Sequence, residues 1–382
     1  MSARFKRCFA NATLVIASTL LAYWVMEFAI FRLLLPVMPL QLRPMLPDVA
    51  DVLTQNSKSG FLPQHYIALL GDSNAEGLGD WLWQTGGNRA KPFHSANIIH
   101  DVTGRDVVSF GRGGAGSAEG IVLRPAEIFP TSRCAVLPAI DIPDQMFVYF
   151  FAGNDMEDNV YFQDKVRARY GSIDTELIDR YLTTQYAAQN PWKCHLELLG
   201  MGIGMAQLLY DYYVAGIDLS SCGEKLGAPR ANQLIVAGQT IVAPALEAPA
   251  AMMTDDEIQL SMRVLARSLV WLRQRFQGVP VSLVNIPAPL TLYHYATKEV
   301  TFCSWRIGSI DLDEAKRRNR LMKTLQRQIA SDQGMDFIDA EPVLRVAAAT
   351  APIHGPRDWD HLNETGYRAL GQLIASYVKA RP

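Results

Sequence analysis

The sequence offers little from which to build a metal centre. It has five cysteines and seven histidines in 382 residues, with no C-x-x-C pair and no His/Cys cluster at ligand spacing. A metal or other cofactor is therefore not expected. Charge of one sign is also lacking. The formal net charge is -2, so there is no basic footprint for nucleic acid and no global charge directed at an acidic surface. No segment repeats at a fixed period, and none is of low complexity. These absences set aside a metal module, a nucleic-acid binder and a solenoid. What remains is an ordinary chain, 49% hydrophobic, long enough to bury one large core or a core with an inserted subdomain.

One apolar run near the N-terminus departs from that average. Arg4, Lys6 and Arg7 precede a stretch running from about Phe9 to Phe31, and roughly 20 apolar residues in a helix span the hydrocarbon core. The basic cluster should stay in the cytoplasm and send the rest of the chain outward. Glu27 and Arg32 interrupt the run near its outer end, where a charged group can snorkel to the interface. Pro36, Pro39, Pro44 and Pro47 end any helix. A cleaved signal peptide competes with this reading, but no clear A-x-A site precedes the prolines. A buried core helix also competes, but one rarely follows a basic tip. The expected organisation is an anchor over 1–35, a linker over 36–64 and a domain over 65–382, single-pass in an inner membrane with the domain on the periplasmic side. Cys8 then lies inside, and Cys134, Cys194, Cys222 and Cys303 lie outside, where disulfides persist. Four cysteines allow three connectivities. Cys194 and Cys222 are the nearest pair, and buried free thiols are the alternative.

Downstream, short apolar runs alternate with helical patterns. Strands are expected at Tyr66–Leu70, Asp106–Phe110, Met146–Phe151, Val281–Ile286 and, more weakly, Asp336–Asp339. Helices are expected from a capping box at Thr254-Asp-Asp-Glu257 to about Phe276, from Asp311 to about Ala330, and from Glu364 to about Ala380. Apolar strands alternating with helices imply an α/β fold, a flavodoxin-like three-layer αβα sandwich whose parallel sheet has about five strands covered on both faces. Ligands in such sheets bind beyond the carboxyl ends of the strands. No strand continuing the sheet is expected between 156 and 253, which reads as an inserted, mainly helical subdomain. Within it the apolar run from Leu196 to Ala215 raises a second membrane span, but Glu197, Gln207 and Asp211 favour an amphipathic helix.

Two of these strand ends and one late loop carry residues suited to chemistry. Gly71-Asp72-Ser73 closes the first strand, where a serine can present its Oγ above the sheet at a helix start. Alone, G-D-S is an ordinary turn. Gly153-Asn154-Asp155 closes the third strand and can aim an amide at a developing oxyanion. Asp358-Trp-Asp-His361 precedes the last helix, and an Asp and a His three apart on a tight loop can bond each other and leave one ring nitrogen as a base.

In this order the motifs resemble the SGNH/GDSL hydrolase superfamily. That family carries a Ser in G-D-S, a Gly after the second strand, an Asn in G-x-N-D and a C-terminal D-x-x-H. The matches here are Gly71-Asp72-Ser73, the loop Gly111 to Gly116, Gly153-Asn154-Asp155, and Asp358 with His361, followed by His361-Leu-Asn-Glu-Thr-Gly-Tyr367 as the usual ending. The resemblance covers about 65–155 and 280–380. It implies Ser73 as nucleophile, His361 as general base and Asp358 as its orienting carboxylate, with an oxyanion hole from the Ser73 and Gly114 N–H groups and the Asn154 side chain. Gly111 or Gly113 can replace Gly114 in that role, and Asp360 is a rival to Asp358. Asn74 stands where the family often has an aliphatic residue, so Asn74 or Glu76 can face substrate or merely fill a helix first turn. Trp81 and Trp83 suit sugar stacking or core packing. Arg112 suits an anionic substrate group or a solvated loop.

Such a triad transfers an acyl group to water or to a sugar hydroxyl, and the residues do not distinguish the two. The anchor and the resemblance imply an acylated envelope or secreted polysaccharide as partner, with the 156–253 insertion as a source of the acceptor groove. A lipid-directed esterase and a non-catalytic glycan-binding scaffold are the alternatives.

Overall fold

The architecture comes from a computed structural model that describes residues 3–30, 33, 52–53, 55–80, 94–131, 140–187, 232–250, 253–303 and 307–381, with isolated positions between 199 and 210. The chain divides into two compact units. One comprises Met1–Thr54, Ile128–Ile140 and Asn190–Gly216, and the other Gln55–Glu127, Asp141–Gln189 and Ile217–Pro382.

Among its described residues the first unit holds helix α1, Ala3–Ala29. Its stretch Phe9–Ala29 has a mean hydropathy of 1.6 and is long and apolar enough to cross a membrane. Leu14, Ile16, Leu20 and Leu21 stand exposed along it. In the run from 196 to 215, Leu199, Ile203 and Tyr210 are helical and exposed, and the Leu199 N–H donates to the Tyr23 hydroxyl at 3.3 Å. Most of that run lies outside the described residues.

The second unit is built on a five-stranded parallel sheet. Its strands are β1 (Ile67–Leu70), β2 (Val107–Ser109), β3 (Gln145–Phe151), β6 (Val281–Ile286) and β10 (Asp336–Asp339), in spatial order β10-β6-β3-β1-β2. All four strand pairings are parallel. These are the five apolar runs of the sequence, and the fully buried residues of β1 and β6 explain why they show no alternation: both faces are covered. On one face Ile67, Leu69, Phe147 and Tyr149 join a core with helices α3 (Ser95–Thr103), α9 (Glu341–Thr350) and α10 (Glu364–Lys379). Each such side chain contributes about 1.5–3 kcal/mol relative to exposure. The other helical layer comprises a π-helical turn (Ala118–Leu123), α5 (Asn154–Tyr170), α6 (Thr175–Ala187) and α7 (Asp255–Arg275), which pack around Val122, Phe162, Val166 and Val264. The turn continues into α4 (Arg124–Thr131), and a short turn α2 (Ser73–Glu76) follows β1. Helix α8, Leu312–Asp332, leads into β10. The capping box at Thr254 forms, with the Glu257 N–H donating to Thr254 Oγ1 at 3.2 Å and the Thr254 N–H to Glu257 Oε2 at 2.7 Å.

Two features were not singled out in the sequence. The 156–253 stretch contains α5 and α6 but also a hairpin, β4 (Asn232–Val236) and β5 (Gln239–Ala243), which pairs with β7 (His294–Tyr295) in a separate antiparallel sheet. Its two-residue turn puts Ala237 and Gly238 at φ of 50° and 77°, the geometry of a tight hairpin. A further hairpin pairs β8 (Glu299–Cys303) with β9 (Ile307–Asp311). Part of the expected linker is also built into the domain: Gln55 exchanges side-chain hydrogen bonds with the backbone of Ser109, and Ser57 bonds Val107, along the open edge of β2. Cys303 is disulfide-bonded. Cys134, Cys194 and Cys222, and with them the pairing of Cys194 and Cys222, lie outside the described residues.

Candidate active site

The order β10-β6-β3-β1-β2 places a topological switch at β1, whose neighbours β2 and β3 leave on opposite sides. The three candidate loops follow the carboxyl ends of these three strands.

Gly71 ends β1 at a φ of 138°, and a Cβ there would sit 2.5 Å from the Tyr149 carbonyl oxygen, so the chain can turn this sharply only at glycine. Asp72 caps α2: its Oδ1 accepts from the Asn74 N–H at 2.9 Å and its Oδ2 from the Asn74 amide at 3.0 Å. Asn74 therefore serves the turn and is buried. Glu76 reaches the glycine loop instead, where its Oε2 accepts from the Gly113 N–H at 2.6 Å. His94 ties the end of α2 to α3, with Nε2–H donating to the Glu76 carbonyl at 2.8 Å and Nδ1 accepting from the Ala96 N–H at 2.8 Å.

Ser73, only 3% exposed, has its Oγ 2.8 Å from His361 Nε2. His361 Nδ1 lies 2.8 Å from Asp358 Oδ2. A carboxylate only accepts, so Nδ1 carries the proton and, in the neutral ring, Nε2 accepts from the Ser73 hydroxyl. The other Asp358 oxygen accepts from the Asp360 and His361 N–H groups at 3.0 and 3.1 Å. It is thus Asp358, rather than Asp360, that bonds the imidazole.

Every letter of the ending H-x-N-x-x-G-Y has a physical task here. Asn363 caps α10 through the Thr365 and Gly366 N–H groups, and its amide donates to the Pro352 carbonyl at 2.9 Å. A Cβ on Gly366 would come within 2.8 Å of the Ile353 carbonyl oxygen. Fully buried Tyr367 donates to the Leu78 carbonyl at 2.7 Å. Asp80, a residue the sequence did not point to, completes the assembly. Its buried carboxylate accepts from the Arg357 and Asp358 N–H groups at 3.0 and 3.3 Å. It thereby holds the His361 loop to the segment that follows Ser73.

Of the three candidate loop glycines, Gly111 donates its N–H to Ser109 Oγ at 3.1 Å and Gly113 donates to Glu76. Gly114 is exposed and its N–H makes no hydrogen bond among the described residues. Asn154 opens α5, and its amide donates to Asp158 Oδ2 at 3.3 Å. Asp155 bonds back to the Phe151 N–H at 2.9 Å and closes that turn. Arg112 is exposed, with its N–H donating to the Gly71 carbonyl at 3.2 Å. Trp81 and Trp83 lie outside the described residues.

The electrostatics centre on buried carboxyls. Burial disfavours the His361 imidazolium, but the charge and hydrogen bond of Asp358, with help from Asp360 and Asp72, outweigh it and raise the ring to about 9. Burial alone would raise Asp358; the His361 charge and the hydrogen bonds from His361 and Asp360 carry it below the usual carboxylate value instead. Burial raises Asp72 although Asn74, His361 and Ser73 oppose it. Asp155 is raised further, by burial and then by Asp72. Asp158 is raised to about 7, by burial and then by Asp72, Glu119 and Glu157. Glu247 is raised by burial and then by Asp360, and its carboxyl packs against the Gly153 turn. A hydroxyl bonded to an imidazole that is itself held by a carboxylate is an arrangement suited to nucleophilic attack with general-base assistance.

No family model matches the chain, and no curated protein matches it. Several solved structures are distantly similar to it. An extracellular lipase from Streptomyces rimosus is 11% identical, with a TM-score of 0.40 over 81% of this chain and 98% of that one. Phospholipase A1 from Streptomyces albidoflavus NA297 is 12% identical, with a TM-score of 0.37 over 83% of this chain and 99% of that one. A carbohydrate acetylesterase family member from Sinorhizobium meliloti is 12% identical, with a TM-score of 0.34 over 83% of this chain and 98% of that one.

Proposed function

We propose that the chain is a serine-dependent acyl-ester hydrolase or O-acyltransferase of the SGNH/GDSL superfamily. The reading is carried by one observation: Ser73, His361 and Asp358, drawn from opposite ends of the domain, form an unbroken hydrogen-bonded chain. Ser73 attacks an ester carbonyl while His361 takes its proton. Negative charge develops on the carbonyl oxygen and is met by the Ser73 and Gly114 N–H groups and the Asn154 amide, donors each worth about 10²–10³ in rate in comparable sites. His361 then protonates the leaving alcohol, and an acyl-Ser73 remains. Water or a second alcohol, deprotonated by the same imidazole, resolves it.

The pH dependence of ester turnover tests this reading. Only the neutral imidazole can accept the Ser73 proton. With the ring pKa raised from 6.5 to about 9, kcat/KM for p-nitrophenyl acetate should rise with pH along a limb whose midpoint lies well above 6.5. Asp360→Asn removes a carboxylate that favours the imidazolium and should move that midpoint down. Absence of turnover, or a limb at or below 6.5, contradicts the proposal.

The physiological substrate on this reading is an acylated envelope or secreted polysaccharide, with α1 as a single-pass inner-membrane anchor. The support is the exposed apolar surface of α1 behind a basic tip. Protease added to spheroplasts should then digest the catalytic domain. A domain protected until the membrane is broken would reverse the topology.

A further inference from the structure

A cavity of about 320 Å³ opens beside the proposed oxyanion donors. Gly114, Gly116, Ala118 and Glu119 line it from the glycine loop and the π-helical turn, and Asp158, Asn159, Tyr161, Phe162 and Lys165 line it from α5. Two of its lining residues also belong to, or bond, the candidate oxyanion donors. Gly114 belongs both to its wall and to the candidate oxyanion hole, and Asp158 both lines it and holds the Asn154 amide.

The chemistry of the lining selects among ester substrates. Asn159 is buried and held by Ser117, its Oδ1 accepting from the Ser117 N–H at 3.0 Å and its amide donating to Ser117 Oγ at 2.9 Å. Lys165 pairs with Glu119 at 2.9 Å and lies over the Tyr161 ring, 4.7 Å from its centroid. Tyr161 is 53% exposed. An acyl chain laid along this wall would gain contact with Ala118 and Phe162 but would strip water from Asp158, Glu119 and Lys165 and return no hydrogen bonds, an unfavourable exchange at those groups. A sugar ring reverses the balance. Its C–H face packs on the tyrosine, while its hydroxyls bond the carboxylates and the ammonium group. The volume falls at the small end of the ~300–1,000 Å³ typical of small-molecule sites, which suits a sugar residue better than a long chain.

We propose that this cavity binds the sugar moiety that carries or receives the acyl group, with Tyr161 as platform and Lys165 and Glu119 as hydroxyl partners. The inference rests on the acyl-transfer reading of Ser73 and adds to it the place where the sugar of the proposed substrate is held. During deacylation the same sugar-bearing pocket holds an acceptor hydroxyl in competition with water, so the site serves either outcome.

The test compares kcat/KM for glucose pentaacetate with that for p-nitrophenyl acetate, which has no sugar, and with that for a palmitoyl lysophosphatidylcholine. In Tyr161→Ala and Lys165→Ala the glucose-to-aryl ratio should fall about tenfold or more, while Tyr161→Phe, which keeps the ring, should retain it within about twofold. A ratio unchanged in both alanine variants overturns the assignment. So does a wild type that cleaves the aryl ester but not glucose pentaacetate, or a parallel fall for the lysophospholipid. Wild type that cleaves none of the three overturns instead the acyl-transfer reading of Ser73.

Discussion

Ser73→Ala should lower turnover of p-nitrophenyl acetate by about 10⁴-fold or more and abolish labelling by a fluorophosphonate. The hydroxyl is the only group of the triad that bonds the substrate carbon, and its removal leaves His361 with no proton to take. His361→Ala should cost about as much, because an un-ionised serine is a poor nucleophile near neutral pH. The two losses should not add. The triad acts as a unit, so the double variant should resemble either single one, with residual activity from the oxyanion donors and from binding. Folding is not expected to explain the loss, since among the described residues Ser73 Oγ contributes only its bonds to His361 and Asp72. A Ser73→Ala chain that labels as wild type does would show that the reactive residue lies elsewhere.

Gly111→Ala should be a severely damaging small change in the domain. A Cβ at position 111 would lie 2.1 Å from the Glu76 nitrogen and 2.4 Å from the Ala75 carbonyl carbon. Both are backbone atoms of the turn that carries Ser73, and neither can rotate aside. The glycine loop and that turn are further laced together by Ser109 Oγ donating to the Ala75 carbonyl at 2.5 Å and by the Glu76–Gly113 bond. To admit one methyl group the turn must shift, so the expected cost is about 3 kcal/mol or more of stability, with loss of fluorophosphonate labelling even where the chain remains folded. Gly278→Ala is the control. Its Cβ meets nothing within 4 Å at a φ of 83°, so only the left-handed backbone penalty of about 1–2 kcal/mol applies. Equal urea midpoints for the two variants would contradict the packing argument.

The sheet was legible because its strands are short, apolar and bounded by glycine, proline or aspartate. Val281–Ile286 and Asp336–Asp339 fall where the pattern put them, the first and third strands shift by one residue at one end, and the second is shorter by one residue at each end. Helix starts were legible where a cap is written locally, as at Thr254 and Asn363. The hairpin at β4–β5 was missed because Ala237-Gly238 lacks the asparagine or aspartate that usually marks such a turn.

At the site, the residues that touch one another through a short loop could be read directly: Asp358 and His361 are three apart, and the Asx-type bonds that fix them are local. Asp80 could not. It acts on Arg357 and Asp358 across 277 and 278 residues, and nothing beside it in the sequence distinguishes it from a surface aspartate. Nor could the partner of Glu76 be read: on sequence that residue can face substrate or fill a helix first turn, and it sits in that turn and accepts from the Gly113 N–H. The shifted carboxyls Asp155, Asp158 and Glu247 were also out of reach, because burial and mutual charge are properties of the assembled chain.

The contact between Ser73 and His361 bears most of this account, and peptide mapping by mass spectrometry after reaction with a fluorophosphonate probes it most directly. Wild-type protein should carry a single adduct, on the peptide containing Ser73, and His361→Ala treated in parallel should carry little or none. An adduct on a different residue, or full modification of Ser73 when the imidazole is absent, would contradict it.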